Sequence, residues 1–341
     1  MMKHSHTEPS VINFSKLEYR IMAINNTEMG KFNNIRKMLC ELNAQGGPTL
    51  IMATGGSKVV AYYLQLVIER LGLSSIVEVI EPRDYFYKGN VDSFSNLIVI
   101  SASGKTNGIE DAFAHFQGNK YLVCENEKSG DYEAVSWGNE LYDKEKSFIS
   151  LATSLGPITL LLDSTESLNS ELSSSEISKI NDRVKELFER SAEKIDKLDV
   201  NFKDTSLVQI MSGYDTKTSS SVLESNLVEG GLAAAVVHDK GSYCHGRSNL
   251  LFQNPVSPMI YLAHNMSRLD NEMFDVLKSE YPNIFSFNSF DEDDEFWKDF
   301  YLALQMYYLS KKIAEDKNID ITMPEYNPQV VKKLYKYRGE M

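Results

Sequence analysis

The sequence has few cysteines and no long apolar run. Its three cysteines, Cys40, Cys124 and Cys244, are far apart and odd in number, a pattern that fits reduced thiols better than a disulfide framework or a zinc site. No stretch of about 18 apolar residues occurs that would span a membrane, and the polar N-terminal residues lack the apolar core of a signal peptide. We therefore expect a cytoplasmic protein that binds neither a membrane nor a metal.

Positive charge is also scarce. The 35 Lys and Arg residues are outnumbered by 48 Asp and Glu residues, which leaves a formal net charge of −13. Nucleic-acid binding depends on clustered Lys and Arg side chains, so we expect no nucleic-acid partner. A small anion remains compatible with this composition, because N–H and hydroxyl donors in a local pocket bind anions inside an acidic protein.

Short apolar segments that end in turns alternate along the chain with segments of helical periodicity. This alternation is typical of a parallel sheet with helices on both faces. We predict an α/β fold with two tandem doubly wound parallel-sheet subdomains. The predicted strands cover residues 49–54, 76–80, 97–101, 121–124, 207–212, 259–263 and 284–287. The main predicted helices of the second half cover residues 218–237, 271–280 and 296–314.

The predicted domain boundaries follow breaks in this pattern. A Gly-Gly-Pro segment at 46–48 ends a mainly helical stretch, and a stretch rich in Ser, Glu and Lys separates the two halves. We expect a helical leader at 1–47, a first subdomain at 48–165, a connector helix at 166–203, a second subdomain at 204–315 and a C-terminal tail over the site at 316–341.

Two predicted strands of the first half end in small-residue loops that precede helices. Gly55-Gly56-Ser57 follows the first strand, and the loop from Ser101 to Thr106 follows the third. Ligands of open parallel sheets bind at the carboxyl ends of strands where the strand order reverses, and helix N-termini favour anions there. Each loop alone is more often an ordinary turn with a helix cap, but the pair favours a phosphate site. Neither loop matches a P-loop or a Rossmann fingerprint.

These loops resemble those of the sugar-isomerase (SIS) family, which carries a Gly-x-x-Ser loop and a Ser-x-Ser-Gly-x-Thr loop at the corresponding strands. The resemblance runs from about Thr49 to the C-terminus and is seen in particular with the isomerase half of glucosamine-fructose-6-phosphate aminotransferases. It implies two flavodoxin-like SIS subdomains and a phosphorylated sugar as the ligand. Lys105 stands where the aminotransferases have an acidic residue. The sugar and phosphate ligands that the resemblance implies are Gly56, Ser57, Ser101, Ser103, Gly104, Thr106 and Ser150. Ser150 is included because it follows Glu145 by five residues, which resembles a Glu…Ser pair whose serine lines the sugar site.

The second half contains side chains that suit the isomerisation of a sugar phosphate. A carboxylate can move a proton between adjacent carbons, and a histidine can open the sugar ring. Glu229 is predicted to lie within helix 218–237, where the following Gly230 and Gly231 indicate close approach by backbone or ligand. Without this context, a helical glutamate is more often a solvent-facing residue.

The resemblance also implies roles for individual residues. In the aminotransferases the catalytic Glu precedes the ring-opening His by sixteen residues, and Glu229 and His245 have the same spacing. The resemblance further implies that Lys333, or its neighbour Lys332, reaches the sugar from the C-terminal tail. Arg247 suits either a second anionic group of the substrate or a structural ion pair. Family sites completed by a neighbouring subunit imply a homodimer.

The leading hypothesis is an enzyme that acts on a sugar or amino-sugar phosphate as an aldose–ketose isomerase, a deaminase or a deglycase. Neither a metal nor an organic cofactor is expected. Glutamine-dependent amination is not expected of this chain alone, because it contains no glutaminase domain. The alternative is a non-catalytic protein that senses a sugar phosphate, and a Glu229→Gln variant distinguishes the two hypotheses.

Overall fold

The computed structural model describes residues 14–28, 33–105, 108–125, 128–137, 151–166, 168, 171–321 and 329–330. Residues 16–184 contain one compact unit, the N-terminal unit, and residues 185–321 contain another, the C-terminal unit. The division falls within the helix Ser174–Asp196, inside the segment that is expected to connect the subdomains. No helix of the described part is long and apolar enough to cross a membrane.

The N-terminal unit is built on a five-stranded sheet in which all neighbouring strands are parallel. The strands lie in the order β2-β1-β3-β4-β5. Every residue of β1 and β3 is buried, because helices cover both faces of a parallel sheet and its central strands are mostly apolar. The strand bounds are β1 (Thr49–Ala53), β2 (Val77–Ile80), β3 (Asn96–Ile100), β4 (Asn119–Cys124) and β5 (Glu133–Ser136).

Within the described residues, six helices and the first half of a seventh belong to this unit. Two of them are joined by a buried ion pair, in which Arg36 contacts Asp163 and Asn33 Nδ2 donates to the same carboxylate at 3.1 Å. Helix α2, from the predicted leader, therefore packs against the unit through α6. The helix bounds are α1 (Phe14–Glu28), α2 (Asn34–Gln45), α3 (Ser57–Arg70), α4 (Pro82–Tyr87), α5 (Ile109–His115), α6 (Ala152–Glu166) and α7 (Ser174–Asp196).

The C-terminal unit has a second parallel sheet, with four strands in the order β7-β6-β8-β9. Its longest helix is capped by Asp294, whose side chain accepts hydrogen bonds from the backbone N–H groups of Phe296 and Trp297, and this helix packs on α8. The strands are β6 (Leu207–Ser212), β7 (Ala234–Asp239), β8 (Met259–Ala263) and β9 (Ile284–Asn288). The helices are α8 (Lys217–Glu229), α9 (Lys240–Ser242), α10 (Asn249–Gln253), α11 (Arg268–Glu280) and α12 (Glu295–Lys317).

Two parallel sheets flanked by helices confirm the predicted fold class. The predicted helix 218–237 is wrong in its second half, because α8 ends at Glu229 and residues 234–239 form strand β7. Gly230 caps the helix and Gly231 has a φ of 64°, a left-handed conformation that commonly ends helices at glycine. The two glycines thus terminate the helix instead of lying inside it. Helix α4 and strand β5 were not predicted.

Candidate functional site

The carboxyl edge of the first sheet contains a topological switch point between β1 and β3. The chain leaves β1 towards β2 on one side, and β3 lies on the other side of β1. The last residues of the two strands, Ala53 and Ile100, pair directly in the parallel register. Both predicted phosphate loops therefore leave the same edge of the sheet from adjacent strands, which is where open α/β sheets bind ligands.

The first loop leads from β1 into helix α3. Gly55 has a φ of 56°, and its carbonyl accepts a hydrogen bond from the Lys58 N–H at 3.0 Å. A Cβ added at Gly56 would meet no atom within 4 Å, so the space beside this residue is open. Ser57 is half-buried and begins a helix of 14 residues. The first loop thus combines open space with a hydroxyl at a helix N-terminus.

The second loop is a tight turn that follows β3. Ser101 is buried, its N–H donates to the Val123 carbonyl at 3.0 Å, and its carbonyl accepts from the Gly104 N–H at 2.9 Å. The Lys105 N–H donates to Ser103 Oγ at 3.2 Å, and Ser103 itself is exposed. Helix α5 begins later, at residue 109, so the nearest donors are those of the loop. The second loop therefore exposes the Ser103 hydroxyl at the edge of the sheet, whereas Ser101 is buried.

A further cation lies beside this loop and was not predicted as a site residue. The side chain of Lys128, which follows β4, lies against Gly104: a Cβ built on this glycine would be 3.1 Å from Lys128 Cε. Twenty-odd residues separate the two positions in sequence, and no local motif links them. Only the parallel pairing of β3 with β4 brings Lys128 to the loop.

A separate cleft of about 570 Å³ opens beside β2 on the same unit. Most charged side chains that line it neutralise one another, since Lys58 pairs with Glu81 and Lys88 pairs with Glu78. None of the described residues predicted as sugar or phosphate ligands lines this cleft. The switch point, and not the cleft, therefore contains the predicted loops. Three predicted site residues, Thr106, Ser150 and Lys333, lie outside the described residues, as does Lys332.

In the C-terminal unit, Glu229 is the last residue of helix α8. Its side chain is exposed, and its carboxylate accepts a hydrogen bond from Ser225 Oγ at 2.9 Å. The chain then turns at the two glycines and runs back through the six residues of β7. A strand of that length spans about 20 Å. Glu229 therefore lies at the amino edge of the second sheet.

His245 lies at the opposite, carboxyl edge of that sheet, in the segment Tyr243–Arg247 that follows β7 and α9. Tyr243 is buried and contacts the ring of the buried His238 edge-to-face at 5.2 Å. His245 and Arg247 are exposed, and neither is ion-paired with a described residue. A single chain thus holds Glu229 and His245 at opposite edges of one sheet.

The switch point of the C-terminal unit, between β6 and β8, is occupied by the protein's own side chains. His264 follows β8 and is buried, with Nε2 at 2.6 Å from Asp299 Oδ1 and at 2.8 Å from the Asp215 carbonyl oxygen. Its Nδ1 lies 2.9 Å from Ser289 Oγ. Burial disfavours the imidazolium, but the hydrogen bond and charge of Asp299 outweigh it and raise the pKa of His264. Both ring nitrogens of His264 thus contact the protein's own groups.

The acidic groups at the second switch point disfavour an anion there, whereas the first switch point has lysines beside its loop. No group of three His, Cys, Asp or Glu side chains in the described ranges is arranged to hold a metal ion. The described residues that could bind a phosphate are therefore concentrated in the loops after β1 and β3.

Solved structures share this architecture over nearly the whole chain. The C-terminal domain of glucosamine-fructose-6-phosphate aminotransferase from Francisella tularensis superposes with a TM-score of 0.65 at 17% identity, covering 94% of this chain and 100% of that domain. This is the SIS fold. Glucosamine-6-phosphate deaminase from Thermotoga maritima shares the SIS fold with a TM-score of 0.64 at 14% identity, covering 91% of this chain and 98% of its own.

A candidate phosphosugar isomerase from Clostridium difficile also has the SIS fold, with a TM-score of 0.67, 16% identity and coverage of 94% and 97%. No family model matches the sequence, and no curated protein is similar to it in sequence. Because the identities are low, the likeness establishes the SIS fold and does not establish an activity.

Proposed function

We propose that this chain binds a sugar phosphate at the loops after β1 and β3 and acts on it as an isomerase, deaminase or deglycase. The observation that carries the proposal is the position of both loops at one switch point, where Ser57, Ser101 and Ser103 supply hydroxyl groups. Gly56, with open space beside it, allows a ligand to approach the backbone closely, and Gly104 allows the left-handed turn of the second loop. An aminotransferase domain and a deaminase share the SIS fold with this chain, and both are named for sugar phosphates. This likeness supports a sugar phosphate as the ligand.

Proton transfer is assigned in this proposal to the second half of the chain. Glu229 would move the proton between adjacent sugar carbons and His245 would open the ring. Thr106 and Ser150 would complete the phosphate and sugar contacts, and Lys333 would contact the sugar. Arg247, which is exposed, would bind a second anionic group.

The same proposal includes a homodimer. Glu229 and His245 lie at opposite edges of one sheet, about 20 Å apart along β7, which is farther than the length of a hexose phosphate. One substrate molecule therefore contacts both residues only if a second copy of the chain supplies one of them. This geometry supports a site that is completed across an interface between two copies.

Ligand binding is tested by thermal shift and calorimetry with hexose, pentose and amino-sugar phosphates, with the unphosphorylated sugars as controls. We expect stabilisation by at least one sugar phosphate at millimolar concentration and none by the corresponding free sugar, because binding to the folded state raises its stability. If no sugar phosphate stabilises the protein, the proposal fails.

Turnover is tested by following exchange of the sugar C2 proton with solvent deuterium on each ligand that binds. We expect the Glu229→Gln variant to bind normally and to lose exchange by at least about a hundredfold, which is typical for loss of a general base. Glu280→Gln is the matched control, because Glu280 is also an exposed last residue of a helix in the same unit.

A non-catalytic sensor of sugar phosphates is the second candidate. The observation that favours it is the exposure of both Glu229 and His245. Within a single chain, neither side chain is shielded from water by the protein. Binding of a sugar phosphate without any proton exchange in the wild type would support the sensor over the enzyme.

A further inference from the structure

The loop Ser101–Lys105 contains one lysine and has a second lysine packed against it, in a chain whose net charge is strongly negative. Lys105 belongs to the loop and is exposed. Lys128 reaches the loop from beyond β4, with its Cε 3.1 Å and its Cγ 3.4 Å from a Cβ built on Gly104. The aliphatic part of the Lys128 side chain therefore lies over Gly104, the one glycine of this loop, where any larger residue would displace it.

The charge of Lys128 is directed to the carboxyl edge of the sheet. Burial raises the pKa of the Cys124 thiol, at the end of β4, to about 11, and the positive charge of Lys128 acts in the opposite direction. Glu125 follows Cys124, and its N–H donates to the Ala102 carbonyl at 3.0 Å. The ammonium group of Lys128 thus lies close to the ends of β3 and β4.

Neither Lys105 nor Lys128 forms an ion pair with a described residue, whereas Lys58 and Lys120 of the same unit pair with Glu81 and Asp131. Among the described residues of this edge, Lys105 and Lys128 are thus cations without an ion pair, and Glu125 is the neighbouring acidic residue. Hydroxyl and backbone N–H donors bind an anion through partial charges, and a lysine adds a full point charge. This excess of positive charge suits a group that carries two negative charges.

We propose that Lys128, together with Lys105, binds the phosphate group of the substrate at the loop Ser101–Lys105 and makes the site selective for a phosphate dianion over a monoanion. This inference rests on the proposed function, since it assigns a specificity residue to the same site. Lys128 is a binding residue in this proposal and takes no part in proton transfer.

The test compares glucosamine 6-phosphate with glucosamine 6-sulfate by calorimetry at pH 8, where the phosphate ester is a dianion and the sulfate ester a monoanion of similar shape. We expect the wild type to prefer the phosphate ester. In Lys128→Met we expect an affinity for the phosphate ester about tenfold lower, because a charge-assisted contact is lost, and a much smaller loss for the sulfate ester. Lys128→Arg retains the charge and should retain most of the preference.

Lys197→Met is the control, because it removes the same charge from an exposed, ion-paired lysine directly after helix α7. Circular dichroism and the Tm of each variant report whether it is folded. If Lys128→Met binds both esters as the wild type does, the role of Lys128 is overturned while the proposed function stands. If the wild type binds inorganic phosphate and no sugar phosphate, the proposed function fails. The role of Lys128 then stands if Lys128→Met weakens the binding of inorganic phosphate, and it is overturned if that affinity is unchanged. If it binds none of them, both proposals fail.

Discussion

Gly104 is the residue on which the geometry of the second loop depends most. Its φ of 60° lies in the left-handed region, and its missing side chain leaves room for the stem of Lys128. The loop motif in the sequence is enough to identify this glycine. Lys128, which packs over this glycine, follows strand β4 and not β3. The sequence of the loop therefore does not indicate that Lys128 lies there.

At the residue scale, we expect Gly104→Ala to weaken the binding of a sugar phosphate by tenfold or more. The added Cβ would be strained by about 1–2 kcal/mol in the left-handed conformation and would displace the side chain of Lys128. Calorimetry measures the affinity and thermal unfolding measures the stability.

Gly89→Ala is the matched control, because this glycine of the same unit has no atom within 4 Å of a built Cβ and no left-handed φ. Equal affinities of the two alanine variants would contradict the importance of Gly104.

At the scale of elements, Asp270 connects α11 to the segment that carries His245. Its Oδ1 accepts from Lys240 Nζ and from the Tyr261 hydroxyl, both at 2.8 Å, and its Oδ2 accepts from Ser267 Oγ at 2.5 Å. Burial opposes ionisation, but the hydrogen bonds from Lys240, Ser267 and Tyr261 outweigh it and lower the pKa of Asp270 to about 2. The ionised carboxylate is therefore preferred in the folded state.

We expect Asp270→Asn to lower the free energy of unfolding by about 2 kcal/mol at pH 7. A depressed carboxylate pKa contributes stability that is present above about pH 4 and is lost as the pH falls towards 2. The difference between wild type and variant should therefore shrink over that range. Denaturant titrations at several pH values measure it, and a difference that is unchanged down to pH 2 would argue against the ionised pair.

The buried cluster around His264 predicts the opposite pH dependence. A raised histidine pKa contributes stability that is complete below about pH 6.5 and is lost as the pH rises through the folded-state pKa. We expect the Tm of the wild type to fall with rising pH more steeply than that of His264→Asn. His115→Asn, which changes an exposed histidine of α5, is the control and should keep the slope of the wild type.

At the scale of the whole molecule, the two units share a strand order over four strands and differ in their switch points. The first has open space at Gly56 and lysines beside its loop, whereas the second is filled by His264, Asp299 and the Asp215 segment. We expect calorimetry to give one bound sugar phosphate per chain. Two equivalent sites per chain would show that the second switch point also binds the ligand.

Mixing two inactive variants tests whether two copies complete one site. If Glu229 comes from one copy and His245 from the other, a mixed dimer of Glu229→Gln and His245→Asn chains contains one intact site of two. Random exchange of subunits then restores about a quarter of the wild-type proton exchange. No recovery after dissociation and remixing, with mixed dimers shown to form, would contradict a shared site.

Local patterns of the chain were enough to locate much of the fold. The predicted strands 207–212 and 259–263 coincide with β6 and β8, because continuous apolar segments bounded by turns are typical of buried parallel strands. Strand β5 is short and ends its sheet, so its pattern is weak. Strand β7 is rich in alanine, a strong helix former, and pairing with β6 overrides that propensity.

The sequence by itself determined the α/β class, the two parallel sheets and the small-residue loops after β1 and β3, because apolar runs, turns and glycines act within a few neighbouring residues. The tertiary structure decided the rest: the position of Lys128 at Gly104, the separation of Glu229 from His245 and the filled switch point around His264. These features depend on which strands pair, and strand pairing joins residues that are distant in sequence.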